Sequence, residues 1–513
     1  MVLILPLFVC LTLIYLYTTR NFRYWSKRKV KHDPPVPIFG NHYRNLFGFE
    51  SLAETYTELY FKYPDEKVVG FYRGMMPGLL VRDLDIARSI LNVEFSHFYL
   101  RGMGRDPEKE PLLSNLFHID GDKWKFLRQR LTPVFTTAKL RAMFPLIIKC
   151  AEKLQVAGEH ITSKGGDFDC RDFMARFSTD FIGACGFGIE MNSINDEHSA
   201  FRELGRKSLS FPLRHIILLG IWELFPEVRN SIRVSSTEVE KAVSDLVESI
   251  FRQRNYKPCG RNDFVDFLLE LAQKGKMESE SIENSDSEGN PIRVEFELKT
   301  MDLIAQVFVF FVAGFETSSS ATSFTLHQLA FNPDIQTEIQ NEIDQVLAKY
   351  DNKLCYDAIS ELSHLEMAFK EAMRLFPSSG FLQRLCAKRY TIPKLGVTIE
   401  PGVITVIPIQ AIQTDEKYFD NPMEFKPQRF SDDAGKKINN YTYMPFGAGP
   451  RACIGGRLGQ MQSLAGLAAV LQKFTVEPTP KTPVKLPIDP WRNVLQCVKG
   501  GIPLRLKLRS KLN

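Results

Sequence analysis

A glycine-rich loop with a single cysteine, residues 445–455, constrains the fold of this chain more than any other segment. It reads Pro-Phe-Gly-Ala-Gly-Pro-Arg-Ala-Cys-Ile-Gly and comes directly before an apolar, helix-like run. Glycines permit backbone angles closed to other residues, allow close approach to a flat ligand and can point NH groups at sulfur. With Arg451 as a nearby cation, the loop is suited to hold the Cys453 thiolate against a metal. The alternative is an ordinary turn with a small, buried cysteine.

Periodicity predicts a mainly α chain with scattered short strands. Apolar residues recur at three- and four-residue spacing, over lengths no ordinary strand reaches, in residues 136–161, 236–254, 299–331 and 333–350. The predicted strands are residues 67–72, 78–81, 397–399 and 403–408. Residues 274–295, rich in Lys, Glu, Ser, Asn and Asp, are predicted to form a mobile surface loop. No break in composition divides the chain, which is long enough for one large domain or several smaller ones.

The predicted helix at 299–331 breaks local rules in its middle. An apolar stretch is followed by Gly-Phe-Glu-Thr-Ser at 314–318, although glycine, threonine and serine weaken helices and a buried carboxylate is costly. Such a conflict suggests a site. Small residues at Ala313 and Gly314 would leave space for a plate-like cofactor and a small ligand, and Glu316 with Thr317 could relay protons to it. The alternative is a helix kink.

Composition restricts the compartment and the partners. The nine cysteines are odd in number and form no Cys-x-x-Cys pair, as is usual in a reducing compartment. The net charge of +5 is small for 513 residues and argues against nucleic acid as the main partner.

The N-terminus is predicted to be a membrane anchor. Residues 1–18 are uncharged and mostly apolar, about the minimum length for a membrane helix, and six basic residues follow before Asp33. The positive-inside rule then places the rest of the chain in the cytosol, and no signal-peptide cleavage pattern is seen. We therefore expect an anchor at 1–18, a basic and proline-rich linker at 19–40, and the main folded domain at 41–513.

Several motifs resemble those of one family. The loop resembles the haem-ligand signature of the cytochrome P450 superfamily, Phe-x-x-Gly-x-Arg-x-Cys-x-Gly, and residues 313–318 resemble its oxygen-activation motif. Trp124 and Arg128 are similar to its Trp-x-x-x-Arg element, which meets a haem propionate. Glu371 and Arg374, with the arginine of Pro-Gln-Arg-Phe at 427–430, resemble its Glu-Arg-Arg cluster behind the haem. These motifs stand in family order at family-like spacing.

The resemblance implies a haem b cofactor and a set of site residues. Cys453 would be the metal ligand, as thiolate to the haem iron, and Thr317 and Glu316 would deliver protons. The other residues implied to contact the cofactor are Arg451, Phe446, Gly447, Arg128, Trp124, Arg101, Arg384 and Ala313. Taken alone, Trp124 with Arg128 would be an ordinary surface pair, and Arg101 and Arg384 plain surface arginines. Gln428 and Gln413 depart from the family pattern, the second at a propionate-side or structural contact.

The implied fold is a single, mainly helical P450-type haem domain with a small β lobe. The implied activity is that of a microsomal monooxygenase of the endoplasmic reticulum membrane that faces the cytosol, and residues 123–133 resemble the insect detoxifying branch. No segment resembles a flavin or nicotinamide domain, so electrons would come from an NADPH-dependent reductase, with cytochrome b5 as a helper. Basic residues implied to lie near the docking face are Lys123, Lys125, Arg130, Lys436 and Lys437; the alternative is a solvated rim.

The resemblance leaves the lipophilic substrate open among xenobiotic, insecticide, hormone, plant toxin and fatty acid. Candidate pocket segments are residues 113–117, 211–224, 308–313 and 378–382, the second of which could equally dip into membrane lipid. Two other functions share parts of the pattern. A haem-thiolate isomerase or dehydratase would not need the Glu316–Thr317 pair, and a non-catalytic haem sensor would need no reductase.

Overall fold

The computed structural model describes residues 4–509 except 197–198, 210–217, 219–220, 222–232, 262 and 493. Its α-helices, in chain order, are α1 Ile4–Thr19, α2 Tyr24–Lys27, α3 Tyr43–Leu46, α4 Leu52–Lys62, α5 Leu84–Arg88, α6 Gly121–Leu131, α7 Thr137–Ser163, α8 Cys170–Ile182, α9 Ala200–Leu209, α10 Thr237–Gln253, α11 Phe264–Ala272, α12 Thr300–Phe331, α13 Pro333–Ala348, α14 Tyr356–Glu361, α15 Ser363–Leu375, α16 Ile409–Gln413, α17 Asp432–Gly435 and α18 Gly456–Lys473. The mainly helical prediction is confirmed, including the four long helices.

The strands form small sheets. They are β1 Val68–Arg73, β2 Met76–Val81, β3 Asp167–Asp169, β4 Met277–Ser285, β5 Pro291–Phe296, β6 Leu382–Leu385, β7 Tyr390–Ile392, β8 Val397–Ile399, β9 Ile404–Ile407, β10 Phe474–Pro478 and β11 Pro503–Leu508. One sheet has the order β1-β2-β9-β6 and another β10-β11-β3, while β4-β5 and β7-β8 are antiparallel pairs. The four predicted strands are present within two residues of their expected bounds.

The long helix α12 is the centre of the larger of two hydrophobic cores. It packs against α8, α15 and α18, and most of its side chains are buried. The second core joins the four-stranded sheet to α4 and the segments around it. The cysteine loop leads directly into α18, which is largely buried and packs against α12.

The prediction of a mobile loop at 274–295 is wrong, because this segment forms the hairpin β4-β5. Inward positions Met277, Ser279 and Ser281 alternate with exposed ones, but serines replace the large apolar residues that a period-two pattern would need. Polar contacts hold it instead, since the Ser281 hydroxyl donates to the Asp122 carboxylate at 2.8 Å. The turn after β4, where Asp286 accepts from the NH of Asn290, was the available sequence signal.

The N-terminal helix α1 is apolar, and its side chains are largely exposed, as at Leu5 (70 %) and Phe8 (67 %). Among the described residues, the helix long and apolar enough to cross a membrane is α12, half of whose apolar window is buried inside the domain, while residues 8–19 form a shorter apolar helix. The anchor at 1–18 and the linker at 19–40 stay predictions.

Candidate active site

The cysteine loop is held by backbone contacts that glycine alone permits. The Cys453 NH donates to the Phe446 carbonyl at 2.8 Å, which closes the loop. Gly447 and Gly449 both have φ of +73°, in the left-handed region. A Cβ at Gly449 would lie 1.9 Å from the Leu91 carbonyl oxygen. The register of the loop is thus fixed against the segment after α5.

The Cys453 thiol is accessible, yet protein surrounds it closely. Burial raises its pKa, while the Gly455 NH and the charges of Arg128 and Arg101 act in the opposite direction. Arg128 also donates to the Ala452 carbonyl at 2.7 Å. The amide donor and the two cations therefore partly offset the effect of burial and support the thiolate, the form that binds a metal.

Four arginines surround this region with little compensating charge. Arg384 and Arg451 are buried, Arg101 and Arg128 partly so, and the carboxylate that offsets Arg451 directly is Asp120, at 2.6 Å. Burial lowers the pKa of Arg451 to about 9 and that of Arg101 to about 10. Uncompensated buried cations are costly. The cluster is therefore suited to an anionic group.

Arg384 gives the most direct sign that an anionic group fits this site. Burial and the neighbouring charges of Arg101 and Arg451 lower its pKa, and its Nε has no hydrogen-bond partner although it is buried. Its Nη1 reaches only the adjacent Gln383 carbonyl, at 2.7 Å. An acceptor such as a carboxylate would satisfy this guanidinium.

Trp124 and Arg451 support each other. The Arg451 guanidinium lies 4.1 Å from the centre of a Trp124 ring, and its Nε donates to the Tyr99 carbonyl at 2.8 Å. With Asp120 engaged as well, Arg451 is chiefly a brace between the loop and α6. Asp120 carried no signal in the sequence, since a lone acid before a helix is common as a cap.

The helix α12 presents one accessible stripe. Val309, Ala313 and Thr317, four residues apart, are less buried than most of their neighbours, and Ala313 is exposed. The Thr317 hydroxyl donates to the Ala313 carbonyl at 2.6 Å. These small side chains fit the predicted space for a flat cofactor and a small ligand.

The role predicted for Gly314 is wrong. A Cβ on Gly314 would lie 2.2 Å from Ile182 Cδ1, so this glycine lets α12 approach α8. It does not enlarge the space beside Ala313.

Glu316 is buried on a different side of the helix from Thr317. Its carboxylate pairs with Arg171 of α8 and accepts a hydrogen bond from the Cys497 thiol at 3.1 Å. It also lines an open cavity of about 590 Å³ whose other walls are mostly charged. Burial, followed by the Glu316 charge, raises the pKa of Cys497 to about 12. Sequence analysis missed Arg171 and Cys497, which belong to no motif.

The Glu371 cluster forms as the sequence predicts. Arg374 Nε and Nη2 bind the two carboxylate oxygens of Glu371, both at 2.8 Å, and Arg429 Nε reaches the same group at 3.3 Å. Gln428 is exposed, so its departure from the family pattern leaves the cluster intact.

Gln413 makes a structural contact. Its Nε2 donates to the Arg374 carbonyl at 2.9 Å, and its Oε1 accepts from the Met444 NH at 2.9 Å. This one side chain links α15 to the segment that enters the cysteine loop.

The basic residues predicted on α6 are already engaged. Lys123 pairs with Asp302 at 2.6 Å, and Lys125 with Glu280 at 3.5 Å. Arg130 donates to the Glu278 carbonyl at 2.9 Å. In contrast, Lys436 and Lys437, directly after α17, are exposed.

Three predicted pocket segments meet at α12. The Leu116 NH donates to Gln306 at 2.9 Å, and the Ser378 hydroxyl to the Thr317 carbonyl at 3.5 Å. Residues 113–117 and 378–382 therefore flank 308–313. The segment 211–224 lies almost entirely outside the described residues.

Comparison with known proteins identifies the family. The family model named Cytochrome P450 matches residues 31–503. Cytochrome P450 6B6 of Helicoverpa armigera is 37 % identical over 98 % of this chain and 97 % of its own length. Cytochrome P450 6a2 of Drosophila melanogaster is 38 % identical over 96 % and 97 %. The Cys453 thiol and the arginine cluster around its loop fit the cofactor that this family binds, and the chain is a member of the cytochrome P450 family, a monooxygenase that uses haem b.

Proposed function

We propose that this monooxygenase inserts one oxygen atom from O2 into a lipophilic substrate, with electrons from an NADPH-dependent reductase and cytochrome b5 as a second donor. The observation that carries the proposal is the Cys453 thiol, held by a closed loop beside an arginine cluster with unsatisfied charge. The need for a separate donor is supported by the lack of any flavin- or nicotinamide-binding pattern in the sequence.

Some of the site residues are assigned to bind the haem directly, and others to shape the loop and the wall around it. Haem b, when bound through a thiolate, supplies the chemistry of oxygen activation. We assign Cys453 as its metal ligand and Arg384, Arg101 and Arg128 as the groups that hold its carboxylates. Trp124, Arg451, Phe446 and Gly447 shape the loop and its wall, and Ala313 leaves room on α12.

Proton delivery is assigned to Glu316 and Thr317. The Glu316 carboxylate lies at a solvent-accessible charged cavity, and the Thr317 hydroxyl lies on the accessible stripe of the same helix. Because their side chains point to different sides, water has to carry protons between them. Arg171 would hold the carboxylate in place while it exchanges protons.

The substrate class is inferred from the residues that line the space beside α12. Val309, Ala313 and partly buried Phe310 are apolar, and they lie between the two flanking segments at 113–117 and 378–382. Such a lining favours a lipophilic compound, whether xenobiotic, insecticide, hormone or fatty acid.

The location we propose is the endoplasmic reticulum membrane, with residues 41–513 facing the cytosol. Support comes from the exposed apolar helix α1, the basic residues that follow it, and the exposed rings of Phe47 (55 %) and Phe49 (75 %). Membrane lipid would then also be the route by which lipophilic substrates arrive.

One preparation tests these assignments. Membranes that contain the full chain should give a red-shifted, thiolate-type carbon monoxide band after reduction by dithionite, and the same band with reductase and NADPH. A lipophilic product should carry one atom of labelled O2. Turnover without NADPH would instead favour an isomerase or dehydratase, and a histidine-type band would contradict the Cys453 assignment. Recovery of the chain in the soluble fraction would contradict the anchor.

Thr317→Ala should separate NADPH use from product formation. Without the hydroxyl, protons reach the site less selectively, so NADPH should still be oxidised while product per NADPH falls about tenfold or more and hydrogen peroxide rises. Thr325→Ala is a matched control, because Thr325 makes the same hydrogen bond to the carbonyl four residues earlier but is buried. Unchanged coupling in Thr317→Ala would remove Thr317 from the relay.

A further inference from the structure

The hairpin β4-β5 forms an acidic outer layer on α6. Residues 276–297 contain seven acidic and two basic side chains. The hairpin contacts the side of α6 that carries Asp122, Phe126 and Arg130, whereas Trp124 and Arg128 point towards the cysteine loop. The helix thus lies between the site and the hairpin.

Buried polar contacts fix the hairpin in this position. The Asp122 carboxylate accepts hydrogen bonds from the Ile282 NH at 2.6 Å and the Ser281 hydroxyl at 2.8 Å. Phe126 stacks on Phe296 with ring centres 4.8 Å apart. Both Asp122 and Ser281 are buried, so the contact is satisfied and specific.

One acidic side chain of the hairpin lies at a cation of α6, and the Glu278 carboxylate pairs with Arg293 of the hairpin itself, at 2.9 Å. Glu280 pairs with Lys125 at 3.5 Å, and the Glu278 carbonyl accepts from Arg130. The carboxylates of Glu278 and Glu280 are about two-thirds exposed, so they also face solvent and any approaching protein. On α6, the hairpin therefore offsets the charge of Lys125 and holds Arg130 through a backbone carbonyl.

We propose that this hairpin competes with the acidic surface of the electron donor for the cations of α6. The inference rests on the proposed function, which requires a separate protein donor. Charges at the rim of an interface act mainly on the association rate and its salt dependence, within a Debye length of about 8 Å at physiological ionic strength. The hairpin lowers the attraction at α6 and leaves the exposed Lys436 and Lys437 as the stronger contact.

The first test neutralises two of the seven acidic side chains of the hairpin. Glu278→Gln with Glu280→Gln should lower the reductase concentration that gives half-maximal reduction, about two- to fivefold at low salt, with the difference lost at high salt. The readout is the rate at which the carbon monoxide band forms, which needs no substrate, together with direct reductase binding to the full chain in lipid nanodiscs. Asp334→Asn with Glu338→Gln, two exposed acids on α13, is the matched control and should behave as wild type.

A second variant distinguishes competition for Lys125 from a general effect of the net charge of the hairpin. Lys125→Ala should change donor affinity less than twofold in the wild-type chain, where Glu280 holds Lys125, but several-fold in the neutralised hairpin. Equal effects in both backgrounds would overturn the competition. A higher half-maximal concentration after neutralisation would also overturn it, because the hairpin would then attract the donor.

Different results would contradict the role of the hairpin and the proposed function. If the wild-type chain gives the thiolate band and is reduced by reductase, but neutralised and control variants match it, only the role of the hairpin is lost. If reductase does not reduce the wild-type chain at any concentration, the proposed function and the hairpin's role fall together. An unchanged band amplitude with dithionite shows that each variant is folded and loaded.

Discussion

Cys453→His should abolish the thiolate-type carbon monoxide band and monooxygenase activity together. The variant can keep or lose haem, but it has no sulfur to donate at this position, so any remaining band should be of the histidine type. The loop itself should persist, because its closing hydrogen bond joins the backbone of Cys453 and Phe446. The measurement is the reduced carbon monoxide difference spectrum with haem content per chain.

Cys355→Ser provides the control for Cys453→His. The Cys355 sulfur accepts from the Ala358 NH at the start of α14, and serine is a good residue for that capping position. It should therefore keep both the band and the activity. A thiolate band that survives in Cys453→His would show that another residue ligates the iron.

Glu371→Ala should cause the largest loss of stability. The side chains of Glu371 and Arg374 are fully inaccessible, and Arg429 is nearly so. Removal of the carboxylate leaves the buried Arg374 guanidinium without its anion, a change that costs about 3–5 kcal/mol in comparable pairs, while Arg429 keeps its ion pair with Asp420. Urea unfolding, followed by far-UV circular dichroism and by haem absorbance, should show a lower midpoint.

Glu366→Gln is the matched control on the same helix. Glu366 pairs with Lys370 at 2.7 Å, and both side chains are about one-third exposed, so the change should stay within about 1 kcal/mol. A Glu371→Ala variant that unfolds with the wild-type midpoint would mean that the remaining partners, such as the Pro422 carbonyl at 2.7 Å from Arg374 Nη2 and the Asp420 carboxylate at Arg429, are enough to stabilise these arginines.

The long helices could be predicted from the sequence because they leave a local pattern, whereas the Glu371 cluster could be predicted only through the family resemblance, since Arg429 is 58 residues from Glu371. The 3.6-residue period of α12 continues for 32 residues, and Glu371 and Arg374 are one turn apart. The family-level prediction is likewise confirmed by a match over residues 31–503.

The parts that sequence analysis missed depend on contacts between distant segments. The hairpin is held by Ser281 and Asp122, 159 residues apart, and leaves no apolar alternation. The surroundings of Glu316, with Arg171 and Cys497, come from three separate elements. Gly314 shows a further limit of prediction from sequence, because the sequence does not distinguish a glycine that makes room for a cofactor from one that lets a neighbouring helix approach.

The link made by Gln413 has a consequence for how the molecule comes apart. Because the Gln413 side chain bonds both the Arg374 carbonyl and the Met444 NH, a shift of α15 would also displace the segment that leads to Cys453. Release of the cofactor and melting of the scaffold behind it should therefore occur as one cooperative event on heating.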